Sequence, residues 1–209
     1  MEPTLDPGTL PGPGDDLALM DDALGEARAA GKHDDVPIGA VIVRGGAVIA
    51  RGHNRREIEN DPTAHAEVVA LRAAGAALGR WRLGDTAIYV TVEPCAMCAG
   101  AIVLARVPLV VFGAPDDKAG AVVSVAQLFD EPKLNHHPKW RLGARRTESE
   151  ALLRSRRLHG AGAVDHGMLG RIGEDVEDRL ARRGDDALGP EDVRRTHGSQ
   201  PVTVATTRA

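Results

Sequence analysis

The run Ala87-Ile88-Tyr89-Val90-Thr91-Val92 is apolar at almost every position, at both parities, and Pro94 stops it. A strand wet on one face alternates polar and apolar side chains, whereas a strand covered on both faces reads as a nearly continuous apolar run. This segment therefore predicts a sheet covered on both faces, and the covering layers must come from the rest of the chain.

The flanking sequence supplies them. Leu17, Met20, Ala23, Leu24 and Ala27 recur at helical spacing up to Gly31, which predicts a first helix. Ile38–Val43 and Ala47–Ala50 are short β-branched runs around Arg44-Gly45-Gly46, the pattern of a hairpin. Residues 64–78 are Ala-rich and follow Asp61-Pro62-Thr63, read as cap and first-turn residues of a second helix. Cys95–Arg106 predicts another helix, Pro108–Phe112 another strand, Val122–Phe129 a weaker helical piece and Glu148–Leu158 a last helix. The order helix, hairpin, helix, strand, helix, strand implies an α/β protein with helices on both faces of a mixed sheet.

With aromatics at 2%, the interior must be built from Ala, Val, Leu and Ile, and a surface that stacks many bases is disfavoured. No segment approaches the roughly 20 apolar residues of a membrane span, and residues 1–16 lack a basic region followed by an apolar one. The reading is cytoplasmic, with no membrane partner. Residues 1–16, rich in Pro, Gly and Asp, are expected to form a flexible leader, 17–159 the folded domain, and 160–209 a disordered charged tail in which Glu174–Arg183 has helical character. Residues 36–140 carry 11 basic and 10 acidic side chains, so any phosphate footprint is small.

Only two cysteines occur, Cys95 and Cys98, too few for a disulfide scaffold. They follow Pro94 at the predicted strand-to-helix junction, and His65-Ala66-Glu67 opens the second helix. One imidazole and two thiolates make a zinc site with its fourth position open to water, the catalytic type. The helix start beside Cys95 favours its thiolate. Two thiolates offset the charge of Zn²⁺, so a nearby base becomes useful, and Glu67 supplies one. A thioredoxin-like redox pair is an alternative that leaves His65 and Glu67 unexplained. A closed structural zinc is another, with His53, His136 or His137 as fourth ligand.

Taken together, His65-Ala66-Glu67 and Pro94-Cys95-Ala96-Met97-Cys98 resemble the zinc-deaminase signature. From about Leu17 through His137 the chain resembles the bacterial tRNA-specific adenosine deaminases, in VPIGAVIV, GHNRRE, DPTAHAEVVALR, IYVTVEPCAMCAGAI and VVFGAPDDKAGA. Guanine deaminases share the zinc motif. Phe112–Gly120 and Leu134-Asn135-His136 are closer to the substrate loops of the tRNA enzymes.

The resemblance implies a cytidine deaminase-like three-layer α/β/α fold with a mixed, roughly five-stranded sheet, and makes residues 17–159 a zinc deaminase domain. It implies a homodimer that converts the wobble adenosine of a tRNA anticodon stem-loop to inosine. His65, Cys95 and Cys98 match the ligands of one Zn²⁺ per chain, and Glu67 the proton shuttle. Asn54 matches a contact to the flipped nucleoside and Asp116 a contact to the ribose hydroxyl; the bland reading of both is a turn residue. In the mechanism so implied, Glu67 takes a proton from the water that attacks C6 and relays it to the ring and the departing ammonia. The anticodon base is already partly unpaired, which lowers the cost of flipping it. The chain departs from the family in its last helix, where Arg154-Ser155-Arg156-Arg157-Leu158 stands in place of paired aromatics. Two rival readings are a small-molecule deaminase acting on guanine or a nucleoside, and a noncatalytic zinc-binding RNA module.

Overall fold

The computed structural model describes residues 9–159. Its elements are α1 (Asp16–Gly31), β1 (Gly39–Arg44), β2 (Ala47–His53), a one-turn α2 (Arg56–Glu59), α3 (Ala66–Leu78), β3 (Ala87–Val92), α4 (Ala96–Ala105), β4 (Leu109–Ala114), β5 (Lys139–Leu142) and α5 (Arg146–His159). The five strands form one sheet in the order β2-β1-β3-β4-β5. β1 runs antiparallel to β2 and β3, while β3, β4 and β5 are mutually parallel, so the sheet is mixed.

β3 is central and buried along its whole length, as its continuous apolar run requires. Ile88 and Val90 join Ile42, Val110 and Phe112 beneath α3 and α4, contacting Ala70, Leu71, Ile102 and Val103 in one core. Tyr89 joins Val41, Val43 and Val111 on the opposite face, under Met20 and Ala23 of α1. Each fully buried Val, Ile or Leu contributes about 2 kcal/mol, so two such faces hold the three layers together. Gly45 and Gly46 both take positive φ, 55° and 78°, in the two-residue turn that joins Arg44 to its pair Ala47. That turn twists with the strands and fixes their register.

Several expectations need correction. The leader does not extend to residue 16: Pro13–Asp15 form a 3₁₀ turn, and Asp16 is buried against Tyr89 and Arg141. Residues 1–8 lie outside the description, as do the tail at 160–209 and its candidate helix. Val122–Phe129 is not helical; residues 121–124 form turns, followed by a 3₁₀ turn at Leu128–Asp130. The N–H groups of Val122, Val123 and Ser124 bond to a buried carboxylate, that of Glu93, instead of to helical carbonyls. The fifth strand, Lys139–Leu142, is implied only by resemblance, because its polar–apolar alternation runs for just four residues, two of them charged. The last helix begins at Arg146, two residues before its expected start.

Candidate active site

Two helix starts meet, one in the chain that follows β2 and one directly after the central strand β3. His65 is the N-cap residue of α3 and Cys95 that of α4, with Cys98 in the first turn of α4. α3 can approach closely because a Cβ at Gly52 of β2 would overlap the Ala66 carbonyl and the Ala70 nitrogen. His65 directs its side chain away from its own helix end, and Asn54 caps in its place: the Ala66 N–H donates to Asn54 Oδ1 at 2.9 Å. Asp61-Pro62-Thr63, expected to cap α3, closes a separate turn in which the Thr63 N–H donates to Asp61 Oδ1 at 2.7 Å. The helix consequently starts at Ala66 and not Ala64.

His65 Nδ1 lies 3.7 Å from Cys95 Sγ and 3.6 Å from Cys98 Sγ. A tetrahedral ion about 2.3 Å from sulfur and about 2.1 Å from nitrogen sets those atoms about 3.6 Å apart, so the triangle fits zinc. The three side chains are the metal-compatible cluster found among the described residues. Among the described residues, none of His53, His136 and His137 joins that cluster. His53 Nδ1 bonds to Glu26 Oε2 at 2.9 Å, His136 Nε2 to the Val107 carbonyl at 2.8 Å and His137 Nδ1 to the Phe129 carbonyl at 3.0 Å. No fourth protein ligand among the described residues closes the triangle, so a tetrahedral ion held there would keep its fourth position open.

Glu67 follows His65 by two residues and is buried. Burial pushes its carboxyl up to about 7, into the range where a group both accepts and donates a proton at neutral pH. A cation held at the ligand triangle works against that shift. A hydrogen bond from Cys98, assisted by His65, holds the Cys95 thiol down to about 4, while the bond to Cys95 and burial push the Cys98 thiol up. His65 is raised by its bond to Cys95. The chain thus favours one thiolate beside an imidazole, with a second thiol that must release its proton when metal binds.

Asn54 is 1% exposed, at the junction of β2 and α2. Asp116 is buried in the loop after β4, where its Oδ1 accepts the Lys118 and Ala119 N–H groups at 3.1 and 3.3 Å; the turn reading of this residue is realised. Burial raises its carboxyl. Leu134–His136 is tied to the end of α4, with Asn135 bonded to Arg106 and His136 to Val107. Sequence reasoning missed Glu93, which is 3% exposed and accepts N–H groups from Asp116, Val122, Val123 and Ser124. The signal was available: a carboxylate at the inner end of a buried strand, one residue before Pro94-Cys95.

A three-layer α/β/α sandwich with a His-Cys-Cys triangle at two helix starts and a buried glutamate beside it defines a deaminase. Residues 14–137 match the family of MafB19-like deaminases. The tRNA-specific adenosine deaminase of Agrobacterium fabrum is 50% identical over 136 residues, which cover 65% of this chain and 90% of that protein. The enzyme of the same name from Bacillus subtilis is 50% identical over 121 residues, 58% of this chain and 75% of that one. A solved structure from work on A-to-I editing by tRNA:A34 deaminases at the wobble position of transfer RNA superimposes with a TM-score of 0.64 at 48% identity, covering 65% of this chain and 99% of that one. A guanine deaminase from Nitrosomonas europaea matches with a TM-score of 0.57 at 27% identity, covering 68% and 84%. The chain belongs to the MafB19-like deaminase family and, at this identity and coverage, to its tRNA-specific adenosine deaminases.

Proposed function

We propose that this enzyme hydrolyses the wobble adenosine of a tRNA anticodon stem-loop to inosine and ammonia. The observation that carries the reading is the joint placement of His65, Cys95 and Cys98 with Glu67 buried beside them, in a chain 50% identical over 136 residues to a tRNA-specific adenosine deaminase. His65 Nδ1 and the two sulfurs would hold one Zn²⁺, which when bound supplies Lewis-acid activation of the attacking water. Glu67 accepts a proton from that water as its oxygen bonds to C6, and delivers the proton to ring N1. It then carries the remaining hydroxyl proton to the C6 amino group, and ammonia departs with the C–N bonding pair. One water is consumed and no oxidant or reductant is needed.

Asn54 contacts the flipped nucleoside in this reading, and its fixed position beside the His65 segment supports that role. Asp116 contacts the ribose hydroxyl, from a loop anchored next to the Cys95 segment. The near balance of charge in residues 36–140 suits an RNA hairpin gripped at few phosphates. A tRNA substrate places the reaction in the cytoplasm, and among the described residues no helix is long and apolar enough to cross a membrane.

The enzyme acts as a homodimer. The outer face of α4 supports this: Met97 and Leu104 lie seven residues apart on it, Leu104 is 70% exposed, and Val103, Leu128 and Leu134 line an adjoining depression. The decisive experiment incubates zinc-loaded protein with an anticodon stem-loop bearing a wobble adenosine, beside free adenosine and free guanine. Inosine in the RNA alone is the expected result. Ammonia from a free compound alone moves the enzyme to the small-molecule deaminases.

A further inference from the structure

The buried carboxylate of Glu93 stands between the two halves of the site. On one side it follows β3 and precedes Pro94-Cys95, so it shares the segment that presents both cysteines. On the other it collects the loop after β4. Glu93 Oε1 accepts the N–H groups of Val122, Val123 and Ser124 at 2.9, 2.7 and 3.0 Å, and Oε2 accepts the Asp116 N–H at 3.1 Å and the Ser124 hydroxyl. The two segments also bond directly: the Ala121 N–H donates to the Pro94 carbonyl at 2.9 Å, and Cys95 forms an isolated bridge with Gly120. Gly120 has room for no side chain, since a Cβ there would strike the Glu93 carboxylate.

Five donors on two oxygens satisfy a carboxylate that burial would otherwise penalise heavily. The donors come from a loop without helix or strand, whose other fixings are its own bonds to Asp116, the link from Ala121 and Gly120 to the Cys95 segment, and the burial of Val122 and Val123 in the core. Glu93 is the side chain that takes N–H groups from both ends of this loop, Asp116 and Val122–Ser124, and so ties the two ends to one point.

We propose that Glu93 is a positioning residue: it locks the Asp116 loop in register with the Cys95 segment and thereby sets how firmly the substrate is engaged. This rests on the proposed reaction for its substrate, but its structural content is independent of it. Glu93 touches neither the ligand triangle nor the reacting atoms.

Glu93→Gln provides the test, because an amide of the same shape can satisfy only one side of the cluster. If the amide oxygen keeps the three N–H groups of residues 122–124, the amide nitrogen opposes the Asp116 N–H, donor against donor. Gly120→Ala displaces the same carboxylate without altering its charge. Both variants should retain about one zinc per chain. In both, exchange of the amide protons of residues 116 and 122–124 should accelerate by about tenfold or more, and KM for the anticodon stem-loop should rise by about tenfold while kcat holds within about threefold. A purely structural role would lower the melting temperature and leave KM alone. Unchanged amide exchange and KM in both variants would overturn the proposal, as would loss of zinc accompanied by a collapse of kcat. Wild-type protein that left the stem-loop unmodified would count against the proposed reaction, and amide exchange with zinc content would still decide the role of Glu93.

Discussion

Asn54 Oδ1 accepts the Ala66 N–H at 2.9 Å, so the residue after β2 caps the helix that carries Glu67 and follows His65. One amide oxygen thus supports the helix start, and the proposed substrate contact falls to the rest of the side chain. Asn54→Asp keeps an acceptor for Ala66 and loses the amide donor. It should keep the Ala66 bond while kcat/KM falls about a hundredfold. Asn54→Ala should lose both, adding about 1 kcal/mol of destabilisation in chemical denaturation. Equal activity of the Asp variant and wild type would remove the substrate role and leave only the cap.

Glu67 is buried beside the His65–Cys95–Cys98 triangle and is the proposed base, so its removal should separate chemistry from metal binding. Glu67→Gln preserves size and cannot carry the proton. Turnover should fall by about two orders of magnitude or more with zinc content unchanged, as read by single-turnover assay and metal analysis. Wild-type turnover by this variant would favour the noncatalytic RNA module.

A metal held by His65, Cys95 and Cys98 would tie α3 to α4 and so couple binding to folding. Cys98→Ala, which empties one corner of the triangle in the buried first turn of α4, should abolish stoichiometric zinc and lower the melting temperature by several degrees. Treatment of wild-type protein with a strong chelator should produce a comparable thermal shift, reversed by adding Zn²⁺. Full-affinity zinc binding by Cys98→Ala would contradict the ligand assignment.

The parts of this molecule that could be read from sequence are those whose periodicity or spacing has a single physical interpretation. β3 could be read because burial on both faces writes a continuous apolar run, and the triangle because His-x-Glu and Pro-Cys-x-x-Cys bring few other chemistries together. The start of α3 was misplaced because its cap comes from Asn54, 12 residues upstream, and no local pattern reports an acceptor borrowed from another element. The turns at 121–124 looked helical because Val122 and Val123 are apolar; the competing acceptor, Glu93, is 29 residues from Val122 in sequence. β5 was invisible for a related reason. Its Arg141 points to an ion pair with Asp16, so a charge occupies a position where a strand pattern expects an apolar residue.

The outer face of α4 offers a test of assembly. Leu104 is 70% exposed beside the Val103–Leu128–Leu134 depression, an arrangement that a monomer in water has no use for. Leu104→Glu places a charge there without touching the core. The variant should sediment as a monomer under conditions where the wild-type chain is a dimer, with zinc retained. A wild-type monomer at micromolar concentration would refute the dimer.

Arg141 and Asp16 join β5 to the start of α1 across 125 residues of sequence. Arg141 donates to both Asp16 oxygens, at 2.7 and 2.6 Å, and reaches the Pro11 carbonyl at 3.2 Å, while the Tyr89 hydroxyl donates to Asp16 Oδ1 at 2.7 Å. Burial and the adjacent Asp16 push the Tyr89 phenol far above its usual range, so it remains a donor at any physiological pH. A forked, nearly buried pair is costly to break, because the surviving charge keeps its desolvation penalty. Arg141→Met should therefore destabilise the fold by about 3 kcal/mol, measured by denaturant unfolding. Adding Asp16→Asn removes the stranded charge, and the double variant should be more stable than the two single losses added together, by about 1 kcal/mol or more. Strict additivity would show that the pair contributes nothing beyond its separate contacts, and that the edge strand is held by its backbone bonds to β4 alone.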